Sequence, residues 1–300
     1  MSAECGAGWT VQASSYDDSV TVVGEKRPDG LLGAQPRRLI VSLYGLYARE
    51  RGGWLSVAAL VRLMADLGVD GQAVRSAVSR LKRRGLLEPE RRDGSAGYRL
   101  SEAGGLILAE GDVRIFDRRR ADPVDGWLIV VFSVPEAERE KRHQLRAALT
   151  RLGLGTVAPG VWIAPAHLES AVTATVDRAG LRGFTEMFRS TQVDGRPLRE
   201  SVPKWWDLEV LRLQYTEFLD RFRPALARAE TGSDRTAFAD FVEAVTVWRR
   251  LPYLDPGLPL AALPAGWEGV AAESLFEALG DALAAPARRH AMSLVDASAR

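Results

Sequence analysis

Apolar and polar positions recur with a helical period between residues 55 and 84. The segment LSVAALVRLMADLG, residues 55–68, predicts a short amphipathic helix. A second helix is predicted over residues 72–84, where apolar and polar side chains separate onto opposite sides. Its apolar side holds Val74, Ala77, Val78 and Leu81. The residues GVDG join the two segments, and short helices across a glycine-containing turn predict a helix-turn-helix.

The residues that follow predict a two-stranded wing. LLEPERRDGSAGYRL, residues 86–100, has the pattern of a strand, a turn at Asp93-Gly94 and a second strand. Turn residues in RRADPVDG, residues 119–126, predict a linker, so residues 36–118 are assigned to a winged helix-turn-helix domain. Residues 1–35 are rich in Gly, Ser and Asp without a sustained period, and we expect a mobile N-terminal extension there.

The middle of the chain predicts a small sheet with two helices. WLIVVFSV, residues 127–134, is a continuous apolar run typical of a strand buried on both faces. Ser133 and Glu136 have capping-box spacing, which predicts a helix from there to about Leu152. The extended segments LGTV and GVWIA follow, then a helix from about His167 to Ala179 and a strand in FTEMFRST. The order β-α-β-β-α-β is ferredoxin-like, and we assign it to residues 124–196.

The last third of the chain, residues 200–300, is predicted to be a helical domain. Large apolar residues stand at helical spacing in two segments. They are Leu208, Leu211, Tyr215, Phe218, Leu219 and Phe222, then Phe238, Phe241, Val242, Val245 and Trp248. A proline-rich connection separates them from a final helix around Val270 to Leu283. The predicted fold class is therefore α+β, with a winged helix-turn-helix, a ferredoxin-like middle domain and an α-helical C-terminal domain.

Charge is distributed unevenly along the chain. The formal net charge is only +1, so any surface for nucleic acid must be local. Residues 72–99 hold eight basic and three acidic residues, a net charge of +5. Residues 200–300 hold eleven basic and fifteen acidic residues, a net charge of −4. A cationic pole on a nearly neutral chain favours a DNA-binding protein over a helix that is merely solvated.

The polar side of the second helix supplies the candidates for contact with double-stranded DNA. A recognition helix brings its N-terminal part nearest to the base edges of the major groove. Base readout is therefore assigned to Gln72, Arg75, Ser76 and Ser79. Phosphate contact is assigned to Arg80, Lys82 and Arg83, which come later in the helix. On the wing, Arg91 and Arg92 would either follow phosphates or reach the minor groove.

The chain resembles the repressor family of phenylacetate catabolism, the PaaX-type regulators, over nearly everything after Pro36. The resemblance is carried, in order, by VRSAVSRLKRRGLLEPERRDGSAGYRLSEAG, GWLIVVFSVPEAERE, LGLGTVAPGVWIAP, LQYTEFLDRFRP and LDPGLPLAALPAGWEG. It implies the three-domain order given above. It further implies a dimeric repressor of a catabolic operon that an aryl-acyl-CoA such as phenylacetyl-CoA releases from its operator. A soluble, cytoplasmic protein is predicted from the residues themselves, by the single Cys5 and the lack of a long apolar run. Residues 1–35 look additional to the family pattern.

Four residues of the C-terminal region are candidates for an effector pocket. They are Trp206, Tyr215, Trp248 and Arg249. Aromatic walls with an arginine suit an anionic ligand. Packing in the core is the competing interpretation of each aromatic residue.

No catalytic, metal or membrane-spanning site is predicted. The middle domain is similar in layout to the small nuclease subunit of CRISPR adaptation complexes, whose first strand ends in an aspartate that serves a metal. Here that strand ends in Ser133 and Val134. The single Cys5 excludes an intramolecular disulfide and favours a reducing compartment, and no apolar run approaches the roughly 18 residues of a membrane helix.

Two other functions remain open at this point. One is an enzyme acting on nucleic acid or acyl-CoA with an appended winged helix, which would require a carboxylate cluster or a nucleophile with its base. The other is a winged helix that contacts only protein, as a subunit of an assembly. A DNA-binding protein differs from a winged helix that contacts only protein because its binding constant falls steeply as the salt concentration rises.

Overall fold

The structure is a computed structural model that describes residues 36–191 and 197–298. Its elements fall into an N-terminal unit, a middle unit and a set of C-terminal helices. The predicted fold class, α+β, is confirmed, since helices accompany two separate antiparallel sheets in the described residues. The predicted extension over residues 1–35 lies outside the described residues.

The N-terminal unit contains the two short helices and the hairpin that the sequence predicts. Its elements are α1 (Pro36–Leu43, continued by a π-helical turn, Tyr44–Ala48), β1 (Trp54–Ser56), α2 (Val57–Asp66), α3 (Gly71–Arg83), β2 (Leu87–Arg92), β3 (Ser95–Leu100) and α4 (Glu102–Phe116). The Ser56 hydroxyl caps α2 by accepting a hydrogen bond from the Ala59 amide at 3.0 Å. Gly85, with φ at +67°, ends α3 and turns the chain into β2.

The first strand of this unit was not predicted. β1 pairs antiparallel with β3, which gives a sheet in the order β1-β3-β2. Gly97 makes the pairing possible, because a Cβ atom there would lie 2.4 Å from the Trp54 ring and 2.5 Å from the carbonyl oxygen of Leu55. The hairpin is therefore held along its β3 edge by β1, and β2 is the outer strand of the sheet.

The middle unit follows the predicted order β-α-β-β-α-β. It comprises β4 (Trp127–Phe132), α5 (Arg139–Arg151), β5 (Gly155–Ala158), β6 (Val161–Pro165), α6 (Glu169–Arg178) and β7 (Thr185–Ser190). The strands lie in the order β5-β6-β4-β7, and every neighbouring pair is antiparallel. Leu128 and Val130 of β4 are fully buried in a core that this unit shares with its own two helices.

The predicted capping box at Ser133 is wrong. The Ser133 amide donates to the carbonyl oxygen of Phe184 at 3.0 Å, so the backbone is still paired beside the sheet at this point. Pro135 keeps an extended ψ of 149°, and a 3-10 turn over Glu136–Glu138 comes before α5 begins at Arg139.

The C-terminal region is helical, as predicted, but its helices differ from the predicted ones in number and length. They are α7 (Leu198–Trp205), α8 (Leu208–Ala227), α9 (Asp234–Trp248) and α10 (Glu268–Ala297). α7 was not predicted. α10 continues well past Leu283, because Ala287 and Ala291 extend its buried stripe by one and two further turns. Within residues 36–191 and 197–298, no helix combines the length and the hydropathy that crossing a bilayer requires.

The N-terminal unit and the C-terminal helices share one hydrophobic core. α1 packs against both α3 and α9, and α10 packs against α2. The Tyr47 and Phe238 rings lie 5.9 Å apart across this contact. The buried Thr246 hydroxyl donates to the Ser42 hydroxyl at 2.7 Å in the same place. Any displacement of the C-terminal helices therefore reaches the inner side of α3 through packed side chains.

Candidate nucleic-acid interface

α3 presents its polar side to solvent and its apolar side to the core. Val74 and Leu81, among others, are buried against α1, while the intervening polar side chains are exposed. All four side chains to which base readout was assigned are exposed, namely Gln72, Arg75, Ser76 and Ser79. So are Arg80, Lys82 and Arg83, to which phosphate contact was assigned. From Gln72 to Arg83 this surface runs about 16 Å along the helix axis.

The side chains of this surface are free to engage a ligand. Within the described parts of the chain, the side chains of Gln72, Ser76, Arg80 and Arg83 take part in no hydrogen bond or ion pair. The Lys82 ammonium group lies 5.8 Å from the centre of the Tyr98 ring, so a residue of β3 helps to position one cation of α3. Contacts of this kind leave the charge available to an anion.

The start of α3 is fixed by Asp70. Its carboxylate accepts hydrogen bonds from the amides of Gln72 and Ala73 at 2.8 and 2.9 Å. The amide of Ala73, followed by that of Gln72, lowers the pKa of Asp70. The cap also brings a negative charge close to Arg75. The Arg75 side chain extends over the first turn, where its guanidinium lies 3.7 Å from the place of a Cβ atom at Gly71. Gln72 and Arg75 are thus held on a well-defined helix end.

The hairpin places its two arginines in different situations. Asp93 and Gly94 form the turn with φ values of +48° and +79°, as a type I′ turn requires. Arg91 is exposed and donates to the carbonyl oxygen of Gly94 at 2.8 Å. Its charge stays at the tip of the hairpin.

Arg92, by contrast, is held by its own chain. Its guanidinium donates to the carbonyl oxygens of Arg51 and Gly52, both at 3.2 Å, forms an ion pair with Glu90 and lies 5.4 Å from the centre of the Trp54 ring. These contacts dock the hairpin on the segment before β1. Of the two wing arginines, Arg91 is the one whose position suits DNA.

The structure does not bring the predicted effector residues into a single site. Trp206 donates from its indole nitrogen to the carbonyl oxygen of Gly153 at 2.8 Å, and its ring lies against Gly155, where a Cβ atom would be 2.8 Å away. It also packs with the rings of Trp127 and Trp205. Trp206 thereby joins the C-terminal helices to the middle unit.

Tyr215 and Trp248 lie in the core of the C-terminal helices. The Tyr215 hydroxyl donates to Asp255 at 2.8 Å, and Trp248 stacks on Phe276 at 4.6 Å. Arg249 is the one member of the predicted set that lines the cavity of about 310 Å³ between α1, α4 and the end of α9. Sequence reasoning missed this cavity, because its walls come from segments far apart in the chain, and only the cluster Arg37-Arg38 near the start of α1 hinted at a cationic wall.

The end of β4 carries no acidic side chain at the place where a related metal nuclease would have one. Ser133 is exposed there. In residues 36–191 and 197–298, no group of three or more His, Cys, Asp or Glu side chains is placed to hold a metal ion.

Comparison with known proteins gives matches along most of the chain. Residues 35–104 match the family described as PaaX-like protein, residues 120–202 match the PaaX protein central Cas2-like domain, and residues 206–293 match the PaaX-like protein C-terminal domain. The transcriptional repressor PaaX of Escherichia coli is 27% identical over 245 residues, which cover 79% of this chain and 77% of that protein. An uncharacterized protein from Mycobacterium tuberculosis aligns with a TM-score of 0.54 and 22% identity, covering 86% of this chain and 99% of that one. This last likeness concerns the fold alone.

Proposed function

The chain belongs to the PaaX-like family, and on that basis we propose that it is a DNA-binding transcriptional repressor. The similar protein of Escherichia coli is named a transcriptional repressor, which supports a regulatory rather than a catalytic role for this chain. We further propose that it controls genes of phenylacetate catabolism, as the family resemblance implies.

DNA binding is supported above all by the exposed basic surface of α3. Arg75, Arg80 and Arg83 project from one helix whose opposite side is buried, so the helix can enter a groove without unfolding. The major groove is about 12 Å wide and admits an α-helix. The short helix α2, the turn after it and the hairpin β2-β3 surround α3 as they do in a winged helix-turn-helix, and we assign that fold to residues 36–118.

The middle unit is assigned a ferredoxin-like fold. Its sheet order, with β4 and β6 in the centre, is the order that this fold requires of a β-α-β-β-α-β chain. We assign it to the described residues of the predicted range 124–196, and the helical C-terminal domain to the described residues of the predicted range 200–300.

A repressor must also be released from its operator when the genes are needed. We propose that an aryl-acyl-CoA such as phenylacetyl-CoA is the effector, and that it prefers the state with weaker affinity for the operator. We propose in addition that two copies bind as a two-fold dimer, so that half-sites in the operator lie one helical turn, or a multiple of one, apart.

Mapping of bound sites in living cells tests the function directly. Immunoprecipitation of the cross-linked protein should recover a small set of promoter regions, and a duplex from such a region should bind the purified chain at least about a hundredfold more tightly than a scrambled duplex of the same composition. The double variant Arg80→Gln, Arg83→Gln should lose this binding. Arg139→Gln is the matched control, because Arg139 is exposed at the start of α5 in the middle unit.

Equal affinity for recovered and scrambled duplexes would refute a sequence-specific repressor. Binding that does not change with salt would instead favour the alternative of a winged helix that contacts only protein, since phosphate contacts release counterions.

A further inference from the structure

A partly enclosed cavity of about 310 Å³ lies where the N-terminal unit meets the end of α9. This volume lies at the lower end of the roughly 300–1,000 Å³ that is usual for small-molecule sites. Its walls come from α1, the end of α3, α4 and the end of α9. A ligand in this space would contact both parts of the shared core at once.

The interior of the cavity is mostly apolar. Apolar side chains from three helices line it, namely Ile40 and Val41 of α1, Leu108 and Ile115 of α4, and Val245 of α9. Such a surface gains free energy when an apolar group displaces water from it. A hydrocarbon chain or an aromatic ring suits this lining, and a fully polar molecule does not.

Arginine dominates the charged residues that line the same cavity. Among the described residues that line it, seven are arginines and one, Asp112, is acidic. Arg49 forms an ion pair with Asp112, with Nη2 2.9 Å from Oδ1, so this pair is neutral. The other six arginines are half-buried: Arg37, Arg38, Arg84, Arg151, Arg249 and Arg250.

These arginines act on one another. Burial, followed by the charges of Arg38 and Arg249, lowers the pKa of Arg250 to about 10, although Glu217 offsets part of the effect. Burial and the neighbouring Arg37 likewise lower the pKa of Arg38. Arg249, which directly follows α9, donates to the carbonyl oxygen of Arg38 in α1 at 3.4 Å, so arginines from the two segments meet here, and an anion placed among them would relieve their repulsion.

We propose that this cavity binds an anionic molecule with an apolar body, the body lying between α1 and α4 and the anionic groups meeting the arginines around it. The assignment of this ligand as the effector rests on the proposed function. An acyl-CoA thioester has the required chemistry, with an acyl group for the apolar walls and phosphates for the guanidinium groups.

The position of the cavity also explains how such a ligand would change the affinity for DNA. Leu81 and Arg84, at the end of α3, line it from the side opposite to the exposed basic surface of that helix. Val245 and Arg249, at the end of α9, line it from the C-terminal side. A ligand that pulls these helix ends together or pushes them apart changes the placement of α3. The affinity of that ligand must then differ between the DNA-bound and the free protein.

Filling the cavity is the direct test. Gly111 of α4 lines it, and a Cβ atom there meets its nearest neighbours, the Ile115 side chain and the Tyr253 hydroxyl, at an ordinary 3.7 Å. Gly111→Leu should therefore fold and place its branched end in the cavity. Gly105→Leu is the matched control on the same helix, since nothing lies within 4 Å of a Cβ atom at Gly105.

Isothermal titration of the full chain with phenylacetyl-CoA, and separately with coenzyme A, gives the readout. We expect Gly111→Leu to weaken binding of phenylacetyl-CoA by about tenfold or more, because the new side chain overlaps the space of the acyl group. Gly105→Leu should bind as the unaltered chain does, and coenzyme A should bind more weakly than the thioester. Unchanged affinity in Gly111→Leu, or equal affinity for coenzyme A and its thioester, would overturn the assignment.

A second variant decides the matter if Gly111→Leu does not fold in a thermal melt. Arg250→Gln should lower the affinity for phenylacetyl-CoA by about tenfold, the effect of one charge-assisted hydrogen bond. Arg139→Gln should not change it. Equal affinities of these two variants would refute a role for the arginines.

The result is separable from the fate of the proposed function. If no duplex is preferred over its scrambled form, the repressor assignment fails, while titration still tests the cavity. If the preferred duplex is bound and phenylacetyl-CoA is not, the cavity assignment and the proposed effector fail together, while the assignment as a DNA-binding repressor stands.

Discussion

Alanine at Arg75 and alanine at Arg83 should affect DNA binding in different ways. Both side chains are exposed on α3, but eight residues, or about 12 Å of helix, separate them. Arg75 stands in the first part of the helix, beside the cap formed by Asp70, and is expected to face base edges. Arg83 is the last residue of α3 and is expected to face the phosphate backbone.

The size of each effect follows from the kind of contact. Loss of a bidentate arginine–guanine contact costs about 1–3 kcal/mol, so Arg75→Ala should weaken binding to the preferred duplex by about 5- to 150-fold. Five exposed cations on α3 and the hairpin give a slope of log K against log salt of about −4.5 per protomer, at about −0.9 for each phosphate. These cations are Arg75, Arg80, Lys82, Arg83 and Arg91. Arg83→Ala should make the slope shallower by about 0.9, on preferred and scrambled duplexes alike.

Fluorescence anisotropy of labelled duplexes between about 50 and 200 mM salt measures both quantities. Over this fourfold range, the unaltered chain should lose about 3.5-fold more affinity than Arg83→Ala does. Arg139→Ala controls for the loss of one positive charge elsewhere on the surface. The melting temperature should change little in Arg75→Ala and Arg83→Ala, because both side chains are exposed. Equal losses on both duplexes for Arg75→Ala, or an unchanged salt slope for Arg83→Ala, would contradict the division of α3 into reading and positioning residues.

Further expectations concern stability. Gly97→Ala should destabilise the N-terminal unit by about 1–3 kcal/mol in a thermal melt, because its Cβ atom meets the Trp54 ring at 2.4 Å, whereas Gly105→Ala should not destabilise it. Asp255→Ala should cost about 3–5 kcal/mol in denaturant unfolding, since it leaves Arg118, only 6% exposed and 2.6 Å from the carboxylate, without its counter-ion. Burial acts to raise the pKa of Asp255, but Arg118 and Arg120 lower it from 3.8 to about 2. Its contribution is therefore complete above pH 3.8 and is lost as the pH falls towards 2; acid titration of Asp255→Asn, which lacks the ionisable group, should show a shallower loss of stability.

Much of the candidate interface could be predicted from local patterns. The apolar spacing of Val74 and Leu81 determines which side of α3 faces the core, and that choice leaves Arg75 and Arg83 in solvent. Asp93-Gly94 is likewise a strong local signal, because a two-residue type I′ turn requires positive φ at both positions. Patterns of this kind involve residues close together in the sequence, so they can be interpreted without knowledge of the fold.

Features that depend on distant residues could not be predicted. Ser133 has the spacing of a helix cap, but its amide pairs with Phe184, about fifty residues later in the chain. Arg92 looks like a wing cation until the position of Trp54 and of the Arg51 carbonyl is known. α10 was underestimated because alanines such as Ala287 carry little hydrophobic signal, although a close neighbour buries them completely.

The energetics of release indicate which part of the proposed acyl-CoA effector matters. Shifting a repressor from almost wholly bound to almost wholly free requires about 5.5 kcal/mol of differential affinity. Burying an aromatic group of about 150–250 Å² at about 25 cal/mol per Å² supplies about 4–6 kcal/mol, and all of it would have to favour one state. The apolar walls alone are therefore barely sufficient, and the arginines that line the cavity must add to the difference. On this reasoning free phenylacetate, which has the ring but a single carboxylate, should leave the protein on DNA at concentrations at which phenylacetyl-CoA releases it.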